Sequence, residues 1–103
     1  MIRFGLKEEV ISQISGVFAD FPEIELVLLY GSRAKGNFKN GSDIDLTMKG
    51  NQLGLTILSK ISDALDELLL PYTIDLSIYD QIENLQLIEH IERVGVVFYQ
   101  KLD

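Results

Sequence analysis

The sequence lacks cysteine and tryptophan, and only two of its 103 residues are proline. Without cysteine the chain can form neither a disulfide framework nor a thiolate metal site, as suits a reducing compartment. No apolar run approaches the roughly 20 residues that a membrane-spanning helix needs, and the N-terminus lacks the apolar stretch of a signal peptide. We therefore expect a soluble, cytoplasmic protein that does not associate with membranes.

Basic residues are scarce as well. Nine lysines and arginines stand against 16 acidic residues, which gives a net charge of −7. Proteins that bind a nucleic-acid backbone usually carry a basic patch, so this balance argues against direct nucleic-acid binding. The one basic cluster comprises Arg33, Lys35 and Lys39, and it suits a compact triphosphate better than a polymer. For Lys39, a phosphate contact and an ordinary solvated position in a loop remain equally open.

Apolar residues make up 47% of the chain, enough for the core of one domain spanning residues 1–103. Residues 25–30, 43–49 and 72–79 read as strands, and 96–100 as a short extended tail or edge strand. Helical spacing of apolar residues predicts three long helices between and around them. We therefore predict an α/β fold of the α+β type, in which a small mixed sheet has helices packed mainly on one face.

The predicted helices have recognisable ends. The first contains Leu6 and stops near Pro22, and the second is stopped by Pro71, because proline disfavours helical geometry in the residue before it. The third is predicted to open with a capping box at Asp80 and Glu83 and to end at Gly95. Its inward-facing residues are predicted to be Leu85, Ile88, Ile91 and Val94.

A glycine and a serine follow directly after the first predicted strand. Gly31 can adopt the backbone angles of a sharp turn, and Ser32 offers a hydroxyl and a backbone N–H where a short helical turn is expected to begin. This combination is suited to holding phosphate. Arg33 and Lys35 lie close enough along the chain to assist.

Two further strands carry carboxylates. Asp43 and Asp45 are two residues apart, so they point to the same face of their strand with Cα atoms roughly 6.6 Å apart. Asp75 alternates with apolar residues in the next strand, and if the two strands share a sheet the three acids line one polar surface. Mg²⁺ binds one or two carboxylates together with phosphates and water, so one or two ions bridged by a triphosphate are expected here.

The single histidine, His90, lies on the third predicted helix, where a solvent-facing position is favoured over a ligand role. A lone histidine without cysteine cannot form a zinc site of the usual kind. The sequence suggests no Ser–His–Asp arrangement, so Ser32 is interpreted as a phosphate ligand rather than a nucleophile.

These segments resemble a known signature. It consists of Tyr30-Gly31-Ser32-Arg33-Ala34-Lys35-Gly36 followed by Ser42-Asp43-Ile44-Asp45-Leu46. The pattern resembles the DNA polymerase β-like nucleotidyltransferases, and within them the minimal nucleotidyltransferases (MNT), small proteins often paired with a HEPN-domain partner. The resemblance implies a polymerase β-like core in which Gly31 and Ser32 hold the triphosphate, Asp43 and Asp45 bind metal, and Asp75 is a ligand or base.

The resemblance also implies a reaction. A nucleoside monophosphate, expected to be AMP from ATP, would be transferred to a hydroxyl with release of pyrophosphate. The acceptor would be a tyrosine of a HEPN toxin encoded nearby, so that the chain acts as an antitoxin in a hetero-oligomer. Three alternatives stay open: a catalytically silent nucleotide-binding module, an antitoxin that acts by contact alone, and a subunit of an aminoglycoside-type nucleotidyltransferase.

Overall fold

The structure is a computed structural model that describes residues 2–102. Within these residues, six strands and four helices follow one another. In order they are β1 (Ile2–Arg3), β2 (Leu6–Lys7), α1 (Glu8–Ala19), β3 (Ile24–Tyr30), α2 (Ser32–Lys35), β4 (Ile44–Gly50), α3 (Leu55–Asp66), β5 (Ile74–Ile78), a 3₁₀ turn (Tyr79–Gln81), α4 (Leu85–Val94) and β6 (Val96–Gln100). No helix within residues 2–102 is long and apolar enough to cross a membrane.

Four of the strands form a mixed sheet in the order β5-β4-β3-β6. β3 runs antiparallel to both of its neighbours, β4 and β6, whereas β4 and β5 are parallel. Parallel neighbours need a crossover connection, and α3 provides it between β4 and β5. β6 confirms the predicted extended segment at residues 96–100, and it occupies one edge of the sheet.

The main core lies between one face of this sheet and the two long helices, α1 and α3. The register pairs Leu29 with Leu46 and Val27 with Met48, and all four side chains are fully buried on that face. From the helices, Ile14 and Phe18 of α1 and Ile61 and Leu65 of α3 pack against them. The predicted mixed α/β fold with helices mainly on one face is therefore confirmed.

The shortest of the three longer helices, α4, packs on the opposite face of the sheet. Its Ile91 is almost fully buried but does not belong to the main core, and its His90 contacts the ring of Tyr30. Tyr30 pairs with Asp45 across the sheet, and paired residues point to the same side, so this face is also the acidic one. Leu85, predicted to face inward, is instead exposed at the start of the helix.

Two helix starts differ from the prediction. Leu6 is fully buried, but it lies in β2, because Phe4 and Gly5 both have positive φ and turn residues 2–7 into a small hairpin. Helix α1 begins only after Lys7. The capping box predicted at Asp80 and Glu83 is also wrong. Residues 79–81 form a 3₁₀ turn, and Asn84 caps α4 by accepting a hydrogen bond from the backbone N–H of Leu87 at 3.1 Å.

Candidate active site

The turn after β3 is built around a glycine. Gly31 has φ 75° and ψ −154°, a conformation that is almost exclusive to glycine. A Cβ atom at this position would also collide with the carboxylate of Asp45. The four-residue helix α2 follows, and Gly36 ends it in the left-handed conformation with φ 89°. The predicted turn and short helix are thus present, and they lie directly against one of the predicted acids.

The three predicted acids lie at the same end of the sheet. Asp45 in β4 is directly opposite Asp75 in β5, and neighbouring strands are about 4.8 Å apart. Asp43 lies just before β4 and is exposed, as is Asp75, whereas Asp45 is half-buried. The paired register therefore places Asp45 and Asp75 side by side on one face, with Asp43 two residues earlier along the chain.

Burial and neighbouring charge act on Asp45 in the same direction. Burial raises the pKa of its carboxyl, and the charges of Asp75 and Asp43 raise it further. The pKa of the Tyr30 hydroxyl is also raised, first by burial and then by Asp75 and Asp45. The charges of Asp43 and Asp75 thus disfavour the charged form of Asp45, and a bound cation would favour it.

Carboxylate oxygens lie close together at this surface, but they do not form a complete set of metal ligands. Within residues 2–102, no three side chains of histidine, cysteine, aspartate or glutamate form a group ready to hold a metal ion. Two neighbouring strands nevertheless present Asp45 and Asp75 in register.

Arg33 has a different role from the one that the sequence predicted. Its side chain is only 2% exposed. The guanidinium donates to the carbonyl oxygens of Ser42 (2.9 and 3.2 Å), Phe4 (2.8 Å) and Asn40 (3.5 Å). Its Cζ lies 5.3 Å from the centroid of the Phe38 ring and 5.2 Å from that of the Tyr72 ring. The structure contradicts the prediction that Arg33 binds phosphate, because the side chain is buried and four of its five N–H donors already bond to carbonyl oxygens of Phe4 and of the loop that leads to Asp43.

The other predicted phosphate ligands remain accessible. Ser32 begins α2 and is half-buried. Lys35 and Lys39 are exposed. The backbone of Lys39 donates to the Ser42 hydroxyl at 2.8 Å, which closes the loop and leaves the lysine side chain outside it.

His90 belongs to the site, contrary to the prediction. It is half-buried, and its Nε2 accepts a hydrogen bond from the backbone N–H of Gly31 at 3.1 Å. The sequence held a signal for this position. In α4 the half-buried Leu87, the buried Ile91 and the half-buried Val94 define the inner face, and His90 follows Leu87 by three residues and precedes Val94 by four.

A comparison with known families identifies the family of this chain. A family model described as polymerase beta nucleotidyltransferase matches residues 12–103, nearly the whole chain. The chain belongs to the polymerase β nucleotidyltransferase family. A search of curated proteins found no significant sequence match. The resemblance noted in the signature segments is confirmed at the level of the family.

Solved structures with the same fold include complexes of toxins with antitoxins. A toxin–antitoxin structure with AMP-PNP aligns with a TM-score of 0.71 at 20% identity, covering 88% of this nucleotidyltransferase and 73% of that chain. A structure from Shewanella oneidensis, described as a tri-AMPylated HEPN toxin in complex with MNT antitoxin, aligns with a TM-score of 0.67 at 18% identity, covering 91% and 72%. The MntA–HepT toxin–antitoxin complex gives a TM-score of 0.67 at 18% identity, covering 92% and 74%.

Proposed function

We propose that this nucleotidyltransferase transfers AMP from ATP to a hydroxyl of a protein partner, and that the acceptor is a tyrosine of a HEPN toxin that is silenced by the modification. The observation that carries the proposal is the in-register pair Asp45 and Asp75 beside the Gly31 turn. Family membership supports the reaction type. The fold shared with MNT antitoxins, one of them in complex with an AMPylated HEPN toxin, supports the acceptor.

The acids suit a magnesium–nucleotide complex better than a permanently bound ion. Mg²⁺ keeps several waters and is usually held by one or two carboxylates together with substrate phosphates. Asp45 and Asp75 supply two carboxylates, and Asp43 lies beside them, but together they do not form a full cage. When bound, Mg²⁺ would neutralise the phosphates and polarise the α-phosphorus. Burial and the neighbouring acids both raise the pKa of Asp45, and a bound dication would favour its charged form again.

Other side chains of the protein would bind the phosphates and activate the acceptor hydroxyl. The hydroxyl of Ser32 would donate to the terminal phosphates, and the exposed Lys35 would neutralise them. Asp75, exposed at the edge strand β5, would orient the acceptor hydroxyl and accept its proton. The hydroxyl oxygen then forms a bond to the α-phosphorus, and the bond from that phosphorus to pyrophosphate breaks.

The edge position of β5 also explains why a protein acceptor is suitable. Asp75 lies on the outermost strand and faces solvent, so a bulky partner can approach it from the side. The acidic net charge of −7 disfavours a nucleic-acid acceptor. We place the reaction in the cytoplasm, where ATP is available.

Labelled ATP tests the reaction type. The protein and its co-expressed HEPN partner are incubated with Mg²⁺ and ATP labelled in the α- or the γ-phosphate. Nucleotidyl transfer puts the α-label on the partner and releases the γ-label as pyrophosphate. Asp45→Asn should abolish labelling, whereas Asp66→Asn, which removes an exposed charge at the end of α3, should not. Transfer of the γ-label instead would show phosphoryl transfer and refute the proposal.

A further inference from the structure

One hydrogen bond connects the turn after β3 to a distant part of the chain. The backbone N–H of Gly31 donates to Nε2 of His90 at 3.1 Å, across 59 positions of sequence. The imidazole also meets the ring of Tyr30 edge-on, with centroids 6.1 Å apart and an interplanar angle of 80°. His90 therefore contacts both residues at the point where β3 ends and the turn begins.

The helix that carries His90 is fixed at both ends. Asn84 caps its start, and Ile91, next to His90, is 1% exposed. At the other end the N–H of Gly95 donates to the carbonyl of Ile91 at 2.8 Å, and β6 follows at once and pairs with β3. His90 is thus held in place by buried packing rather than lying on a mobile surface segment.

The hydrogen bond completes the restraint of the turn. The carbonyl of Gly31 accepts from the N–H of Lys35 at 3.1 Å, so the peptide groups on both sides of Gly31 are held. The Cα of Gly31 lies so close to Asp45 that a Cβ there would collide with the carboxylate. A shift of the turn would therefore change the space available to Asp45.

We propose that His90 is a positioning residue of the nucleotidyl-transfer site, whose Nε2 lone pair holds the Gly31 turn against Asp45. The requirement is for an acceptor, so Nε2 carries the lone pair and Nδ1 carries the proton. The consequence for transfer rests on the proposed function, whereas the restraint of the turn does not. A residue that only filled space beside Tyr30 would need no lone pair.

Two substitutions separate the lone pair from the packing. In His90→Gln the amide oxygen can accept from Gly31 at a similar reach, whereas His90→Phe keeps a ring beside Tyr30 but cannot accept. The first readout is hydrogen exchange of the Gly31 amide, measured by NMR without nucleotide. Exchange should be slow in wild type and in His90→Gln. In His90→Phe it should be roughly fivefold to tenfold faster, because losing one hydrogen bond shifts the opening equilibrium of the turn by about that factor.

The second readout is the transfer reaction itself. His90→Phe should lower kcat/KM by about the same factor, with most of the loss in kcat, and His90→Gln should restore most of it. Equal Gly31 exchange in the two variants would overturn the restraint, whatever the activity. Faster exchange in His90→Phe with unchanged transfer would overturn the positioning role. A wild-type protein that transfers nothing would refute the proposed function instead, and the exchange rates would still decide whether His90 holds the turn.

Discussion

The effect of the close approach between Gly31 and Asp45 can be measured by comparing alanine substitutions at two glycines. Gly31 and Gly36 both have positive φ, at 75° and 89°. A Cβ at Gly36 would meet nothing within 4 Å, whereas one at Gly31 would collide with the Asp45 carboxylate. Alanine at Gly36 therefore reports the cost of a positive φ without a collision, and alanine at Gly31 reports the cost of its own backbone conformation together with the close approach to Asp45.

The expected magnitudes follow from these two terms. Gly36→Ala should lower the free energy of unfolding by about 1–2 kcal/mol, the usual cost of a left-handed residue with a Cβ. Gly31→Ala occupies a region that is nearly exclusive to glycine, so about 1–3 kcal/mol is expected from the backbone, and the collision adds to it. Each kcal/mol lowers the Tm of a domain of this size by about 4–8 °C. Asp45 can turn away to relieve the collision, so part of the cost should fall on nucleotide binding.

A double-mutant cycle with Asp45→Ala tests the contact itself. Removing the carboxylate leaves room for a Cβ at Gly31, so Gly31→Ala should cost at least about 0.5 kcal/mol less in the Asp45→Ala background, as expected for residues in contact. Thermal and denaturant unfolding give the four stabilities, and titration with Mg²⁺ and AMP-PNP gives nucleotide affinity. Gly36→Ala should bind nucleotide like wild type. Additive stabilities, with equal nucleotide affinity in both glycine variants, would refute the reasoning.

Three further predictions concern single side chains. Ser32→Ala should weaken nucleotide binding by the value of one hydrogen bond to a charged group, about 1.5–3 kcal/mol, measured by calorimetry; unchanged affinity would exclude the hydroxyl as a phosphate ligand. Arg33→Met should lower the free energy of unfolding by at least about 3 kcal/mol in a denaturant titration, because several charged hydrogen bonds to carbonyls are lost, and Arg33→Lys should fall between; a variant as stable as wild type would contradict the buried role. Asp45→Asn should raise the Tm of the metal-free protein at neutral pH. The folded-state pKa of Asp45 is raised, so its contribution to stability is fully present below its ordinary value of 3.8 and is lost as pH rises through the folded-state pKa. The advantage of the asparagine variant should thus grow across that interval and vanish in strong acid, and a variant less stable than wild type at neutral pH would contradict it.

The sequence predicts the sheet and its acids well because both depend on local alternation. Strand β4 buries Ile44, Leu46 and Met48 on one face, and the intervening Asp45 necessarily points to the other. The need for glycine at position 31 also follows from the sequence, since an apolar strand ends there and a sharp turn must begin. These features require no knowledge of which elements meet in space.

The sequence alone does not predict the roles of Arg33 and His90, because their environment is formed by distant segments. The partners of Arg33 include Phe4 and Tyr72, which lie 29 positions before it and 39 positions after it. A basic residue beside a phosphate turn is naturally interpreted as a phosphate ligand, and only the folded chain shows that its donors are already used. For His90, the predicted inner face of α4 includes Leu85, which is exposed in the structure, and this choice of face places the histidine on the solvent side.

The intact mass of the HEPN partner is the most direct test of the proposed function. The partner is incubated with Mg²⁺, ATP and either wild-type protein or Asp75→Asn, and its mass and ribonuclease activity are then measured. We predict that wild type adds one or more adenylyl groups on tyrosine and silences the partner, whereas Asp75→Asn does neither. A partner silenced equally by both proteins with no added mass would contradict nucleotidyl transfer and leave inhibition by contact as the function.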